Sequence, residues 1–217
     1  MPPPPPPAGP WTLYTSRPEL KEAVDAWIAD EAAATAIHGH ISGWDTSRVN
    51  NMDSLVANRG FNAEIGGWDT SRVTVLQNTF SASSFNQPIG DWDVSKVNTL
   101  RHTFYFARSF NQPLTTWDTS NVGNMDATFF GAEAFNQPLD WDTSSATRMD
   151  STFHRSPFNQ HVDSWDVSKV TTFNNMFVQS PFSNDECKRQ LTYASFSQQS
   201  AAFDLTYSSW SSAVCPS

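Results

Sequence analysis

A six-fold repeat is the feature that most limits what this sequence can fold into. The core of the repeat, Trp-Asp-(Thr/Val)-Ser, recurs with spacings of 24, 24, 25, 24 and 24 residues. A fixed period of about 20 to 50 residues is typical of an array in which successive copies stack on one another. The tryptophans that begin the repeats, numbered one to six below, are Trp44, Trp68, Trp92, Trp117, Trp141 and Trp165.

A second pattern follows the tryptophan in each repeat. The third repeat places four apolar residues on one face of a predicted helix of about three turns: Val97, Leu100, Phe104 and Ala107. A Phe-Asn-Gln-Pro-(Ile/Leu) segment comes next, and its proline ends the helix. The residues around the next tryptophan, such as 89–94, predict a short strand. Each repeat therefore reads as strand, turn, helix and turn.

Two large aromatic residues per repeat form the predicted core. Aromatic residues make up 13% of the 217 residues, which compensates for a hydrophobic content of only 38%. We expect the six tryptophans to be buried together with one phenylalanine from each predicted helix, namely Phe80, Phe104, Phe129, Phe153 and Phe177.

The two ends of the chain leave the repeat pattern and predict caps over the array. Ser16 and Glu19 have the spacing of a helix-capping box, and an amphipathic helix of about 13 residues follows them. Open ends of a stacked array expose apolar surface that must be covered. The predicted divisions are a disordered Pro-rich tail at 1–10, a helical cap at 11–43, six repeats at 44–182 and a second cap at 183–217.

Both motifs resemble the BspA-like leucine-rich-repeat surface proteins, whose repeat is also called the mycoplasma-lipoprotein type. The likeness rests on Trp-Asp-(Val/Thr)-Ser-Lys-Val and on Phe-Asn-Gln-Pro-(Ile/Leu), and it covers roughly residues 17–182. It implies a leucine-rich-repeat-like fold and a role in recognition or adhesion at a cell surface. The predicted fold class is accordingly an α/β repeat solenoid, a curved array of six strand–turn–helix coils with helical caps at both ends.

Charge and composition exclude some classes of partner. The net charge is −9 and no cluster of Lys or Arg occurs, so binding to nucleic acid is opposed. No apolar run reaches the ~20 residues of a membrane span. Six prolines follow Met1 in place of a signal peptide, which favours an intracellular protein or a chain whose true start is missing. Extracellular display is the competing expectation from the family likeness, and we expect a monomer.

The first acidic residue of each repeat forms a row of six: Asp45, Asp69, Asp93, Asp118, Asp142 and Asp166. Calcium held between neighbouring repeats is one explanation for such a row. Capping of the helix that follows is the other, and we favour it, because each aspartate sits where its side chain accepts from helix N-terminal amides. The predicted helix caps are Asp69, Asp93, Asp118, Asp142 and Asp166.

Cys187 and Cys215 are the two cysteines of the chain, and both lie in the predicted C-terminal cap. They form either one disulfide or two separate buried thiols. A disulfide would indicate an oxidising compartment, whereas the missing signal peptide indicates the opposite. The sequence leaves both alternatives open.

Nothing in the sequence predicts catalysis or a cofactor. The five histidines occupy unrelated repeat positions, and neither a Ser-His-Asp arrangement nor a Gly-rich phosphate loop occurs. We therefore predict a non-enzymatic scaffold that recognises a protein or a glycan. The alternatives are a calcium-stabilised structural solenoid and a carbohydrate-active enzyme. Variable residues beside the strict motif form the predicted binding face, at Asp91, Thr116 and Ser164.

Overall fold

The computed structural model describes residues 12–213 and Cys215, so the predicted Pro-rich tail at 1–10 lies outside the described residues. Helices occur at the two ends of this part of the chain. They are α1 (Arg17–Ala29), α2 (Glu31–His38), α3 (Glu186–Gln199) and α4 (Ala201–Tyr207). Short 3₁₀ helices occupy Ile41–Gly43, Pro181–Asn184 and Ser208–Ser212.

The prediction of an α/β solenoid is wrong, and with it the description as a leucine-rich-repeat-like array. Between Trp44 and Ser180, all of which the structure describes, there is no α-helix and no β-strand. Neighbouring repeats are joined instead by isolated parallel bridges of one residue each: Asn51 to Val75, Val75 to Thr99, Thr99 to Asn124, Asn124 to Arg148 and Arg148 to Thr172. The strands and helices predicted for the curved array are both absent from these residues.

Each predicted helix is in fact a series of tight turns that is hydrogen-bonded to both neighbouring repeats. In repeat two the Asn78 N–H donates to the carbonyl of Arg101 in repeat three at 3.1 Å. The next amide, that of Thr79, donates to the carbonyl of Leu76 within its own turn at 3.2 Å. Amides therefore alternate between the next repeat and their own repeat, whereas an α-helix would keep all of them internal.

Two residues of each turn series have positive φ, which lets the chain turn repeatedly without winding into a helix. In repeat two they are Asn78 (φ 53°) and Ala82 (φ 49°), and the equivalent pair recurs in every repeat. The apolar spacing correctly predicts one buried face. It wrongly predicts a helix, because successive turns of three to four residues also return the side chains to one side.

The core consists of aromatic side chains stacked from one repeat to the next. Phe104 is fully buried and lies 5.5 Å from the ring of Phe80 and 5.3 Å from that of Phe129, nearly parallel to both. All six tryptophans that begin the repeats are also buried. The indole N–H of Trp92 donates to the carbonyl of Ile65 at 3.1 Å, and the other tryptophans make equivalent bonds. Each indole therefore packs without leaving an unpaired polar group.

The terminal segments supply the hydrogen-bond partners that the outermost repeats lack. Arg17 of α1 donates to the carbonyl of Asp53 in repeat one at 2.5 Å. At the other end the hydroxyl of Tyr207 accepts from the Phe177 N–H at 3.3 Å and donates to the carbonyl of Phe173 at 3.2 Å. Burial raises the pKa of Tyr207 to about 12, so this hydroxyl stays neutral and able to donate.

A disulfide joins Cys187 in α3 to Cys215. The backbone N–H of Cys215 also donates to the side-chain oxygen of Gln190 at 3.0 Å. The C-terminal segment is thereby held against α3 by one covalent bond and one hydrogen bond.

None of the helices in the described residues is both long enough and apolar enough to cross a membrane.

Replacing Phe104 by Ala tests whether the stacked rings carry the stability. We expect Phe104→Ala to lower the free energy of unfolding by about 3–5 kcal/mol, because the ring is fully buried between two others. Phe106→Ala, two residues on and half-buried, should change it by no more than about 1 kcal/mol. Urea unfolding followed by tryptophan fluorescence measures both, and equal losses would contradict this assignment of the core.

Candidate functional site

The strict Trp-Asp motif serves local structure. Asp93 accepts from the backbone N–H of Ser95 at 3.0 Å and from its hydroxyl at 2.6 Å. The hydrogen bonds from the Ser95 side chain and backbone hold the pKa of Asp93 below its usual range. All six aspartates of the row make the same bond to the serine two residues on. They close turns, and the predicted helices after them do not exist.

The described residues do not form a metal site. Within residues 12–213 and Cys215, no three His, Cys, Asp or Glu side chains lie close enough together to hold a metal ion. The aspartates of the row are already engaged by serine amides. The calcium alternative therefore has no structural observation in its favour.

The predicted binding face is brought together in part. Asp91 and Thr116 both line a depression of about 360 Å³ that is formed by residues of repeats one to three. The Thr116 hydroxyl donates to the carbonyl of Gly90 at 2.6 Å, so it joins neighbouring repeats. Ser164 is exposed and lies outside this depression. Only Asp91 in this set presents a free charged side chain to it.

A different surface carries more side chains of the types that form binding sites. The outer row, one residue per repeat beside the turn series, consists of Ala57, Ser81, Tyr105, Phe130, His154 and Val178. Aromatic rings occur in it only in repeats three to five, and all three are partly exposed. The other repeats fold with small side chains at the same place. The rings are therefore not required by the stacking.

Phe106 and His102 extend these rings into one cluster, which we call the aromatic platform: His102, Tyr105, Phe106, Phe130 and His154. The centres of the Tyr105 and Phe130 rings lie 5.0 Å apart, and those of Phe130 and His154 lie 4.7 Å apart and almost parallel. Phe106 meets both Tyr105 and Phe130 edge to face, at 4.7 and 5.2 Å. These contacts hold the rings in fixed orientations at the surface.

Phe106 needs a special arrangement of two repeats. It lies at a position of positive φ (50°), where a bulky residue is strained. The equivalent residue of repeat four is Gly131, and a Cβ added there would lie 2.6 Å from two carbons of the Phe106 ring. Repeat four thus has no side chain at the position that the Phe106 ring of repeat three occupies.

A hollow of about 460 Å³ lies beside the platform. The ring of Phe106 lines it together with Arg108 and the small residues Ala82, Ser83 and Ser84. The Arg108 guanidinium lies 5.9 Å from the centre of the Phe106 ring and 3.3 Å from a carboxylate oxygen of Glu133. The hollow therefore combines an aromatic wall, a cation and hydroxyl groups.

The two histidines of the platform are held in the neutral form. Burial lowers the pKa of His102, and the nearby Arg101 lowers it further, against an opposing effect of Asp126. Burial also lowers the pKa of His154, and Arg155 adds to the effect. At neutral pH both rings are therefore uncharged members of the platform.

The platform was missed in the sequence because the turn series was assigned to a helix. On a helix, Tyr105 and Phe106 would be the residues next to the buried Phe104, and nothing would distinguish them as members of a surface cluster. The available signal was the contrast between repeats. Tyr105 and Phe130 lie at the position that Ser81 has in repeat two, and Phe106 lies at the position of Ala82.

Comparison with known proteins identifies one family model. The model described as "Mycoplasma protein of unknown function, DUF285" matches residues 28–140 and 112–210. No BspA-like or leucine-rich-repeat family model matches the chain. No curated protein and no solved structure matches it.

Gly131→Ala tests the seat of Phe106. We expect a loss of about 2–4 kcal/mol in unfolding free energy, because alanine is strained at this left-handed position and its methyl group also collides with the ring. In a Phe106→Ala background the loss should fall to the roughly 1 kcal/mol of left-handed alanine. A double-mutant cycle by urea unfolding measures the coupling, and additivity within about 0.5 kcal/mol would contradict the contact.

The histidines predict a dependence of stability on pH. Their folded-state pKa lies below the unfolded value of 6.5, so the unfolded chain binds protons first as the pH falls. The stability gained from neutral His102 and His154 is complete above pH 6.5, and it decreases until the pH passes below the folded-state pKa. Unfolding experiments at pH 7.5 and about pH 5 measure the difference.

The matched variant for this experiment is His102→Asn with His154→Ser. It installs the residues found at the same positions of repeat two, Asn78 and Ser81. The variant should lose less stability on acidification than the wild type. An identical loss in both proteins would show that other groups cause it.

Proposed function

Since the chain belongs to the DUF285 family, whose function is unknown, we propose its function from the site itself: a non-enzymatic recognition module that binds a partner protein through the aromatic platform. The observation that carries this proposal is the confinement of partly exposed aromatic rings to repeats three to five. The stacking does not use them, and Phe106 occupies a strained conformation that repeat four accommodates with Gly131.

The composition of the platform favours a protein partner. Tyrosine, phenylalanine and arginine are enriched in protein interfaces, and tyrosine and arginine are enriched at the residues that dominate binding energy. Tyr105, Phe130 and His154 stack on each other in a row, so that ring faces in this row are engaged by neighbouring rings. A glycan would use a free ring face, whereas the Phe106 ring that lines the hollow has the Arg108 guanidinium 5.9 Å from its centre.

The motif likeness to BspA-like surface proteins remains part of the proposal. It favours recognition as the class of function, and it rests on the Trp-Asp and Phe-Asn-Gln-Pro motifs alone. The leucine-rich-repeat fold that it implied is not carried over.

Selection of displayed peptides and proteins on the immobilised wild-type chain tests the proposal. Ligands recovered in this way should bind Phe106→Ala at least about 30-fold more weakly, as expected when an interface residue worth about 2 kcal/mol is removed. The control is Val178→Ala, a change at the same outer row in repeat six. Its affinity should equal that of the wild type.

Two results would contradict the proposal. One is a set of recovered ligands whose affinity is unaffected by Phe106→Ala. The other is a glycan array on which the wild type binds sugars through Phe106 while protein display yields nothing, which would replace the protein partner by a glycan.

A further inference from the structure

A second row of side chains, the amide ladder, runs along the array away from the platform. In repeats two to five, the backbone N–H of an asparagine donates to the side-chain oxygen of the asparagine one repeat earlier, at 2.8, 2.9, 3.1 and 2.8 Å. The glutamine that follows donates to the carbonyl of the same earlier asparagine, at 2.9–3.2 Å. Each step of the ladder therefore takes its acceptors from the preceding repeat.

The first step has no preceding repeat. The backbone N–H of Asn62 has no hydrogen-bond acceptor among residues 12–213 and Cys215. Ala63 stands where the later repeats have glutamine. A groove of about 570 Å³ lies here, between the 60–64 segment and the helix pair α1–α2. If the ladder continued by one more repeat before Asn62, its next asparagine and glutamine would lie in this groove.

Two carboxylates and two aromatic residues are among the residues that line the groove. Glu31 of α2 and Glu64 of repeat one both line it, both are exposed, and neither forms a salt bridge within the described residues. Trp27 and Phe61, each largely buried, also line it together with Ile28 and His40. Two carboxylates beside apolar side chains suit a cationic group on an aliphatic stem, since the stem packs on the apolar residues while the charge meets the carboxylates.

We propose that this groove binds a basic segment of a partner peptide. An arginine or lysine side chain extends over Trp27 and Phe61 to Glu31 and Glu64, and a main-chain carbonyl of the peptide accepts the Asn62 N–H. The peptide thus continues the ladder by one step. This site uses different repeats from the aromatic platform, and it does not depend on what the platform binds.

The probe is the peptide acetyl-Gly-Gly-Arg-Gly-Gly-amide, titrated into the full chain labelled with ¹⁵N. The matched probe replaces arginine by citrulline, which has the same shape and no charge. We expect the arginine peptide to shift the amide resonance of Asn62, and the citrulline peptide to bind at least about tenfold more weakly, because it lacks a charge-assisted hydrogen bond.

Glu31→Gln and Glu64→Gln should each weaken binding of the arginine peptide about tenfold. Glu22→Gln is the control, because Glu22 is exposed on α1 outside the groove and its replacement changes the net charge equally. Both groove carboxylates are exposed, so these variants are expected to fold, and the ¹⁵N spectrum verifies this.

Three results would overturn the inference. The first is that the amide resonance of Asn62 does not shift when the arginine peptide is added. The second is that Glu22→Gln weakens binding as much as Glu64→Gln, which would indicate a diffuse effect of the net charge of −9. The third is that free argininamide binds as tightly as the peptide, which would make the groove a site for a small cation.

Discussion

The structure depends on one constraint, which is the alternation of backbone hydrogen bonds in the turn series. Each repeat shares its amides between itself and its neighbour, so no repeat satisfies its backbone alone. The alternation requires two left-handed residues per repeat, and it brings equivalent side chains of successive repeats into register. The stacked phenylalanines, the tryptophan row and the amide ladder all follow from this register.

Residue burial was largely predictable from the sequence, whereas the backbone conformation was not. The tryptophans and the phenylalanines of the series Phe80 to Phe177 lie in the core, because the repeat period identifies equivalent positions whatever the local fold. Both a helix and a series of turns bury one residue in every three or four. Sequence periodicity therefore could not distinguish them, and the positive φ of residues as different as Asn78, Phe106 and Arg155 left no glycine signature.

The site was less predictable than the core. Asp91 and Thr116 were identified as variable positions beside a strict motif, and they do line one depression. The platform, however, depends on a contact between Phe106 and Gly131, which are 25 residues apart and belong to different repeats. Such a contact can be recognised only when the register between repeats is known. The helix that the sequence predicts does not give that register.

The separation of inward from outward positions has a consequence for how this surface can vary. The rings of the platform stand on a backbone that repeats two and six form with small or aliphatic residues at the same row. The proposed ligand contacts and the stacked core therefore use largely different side chains. In most compact domains ligand contacts and core packing share residues, and a change at the binding surface risks the fold; in this array the outer row holds side chains as different as Ala57, Tyr105 and Val178 on the same backbone.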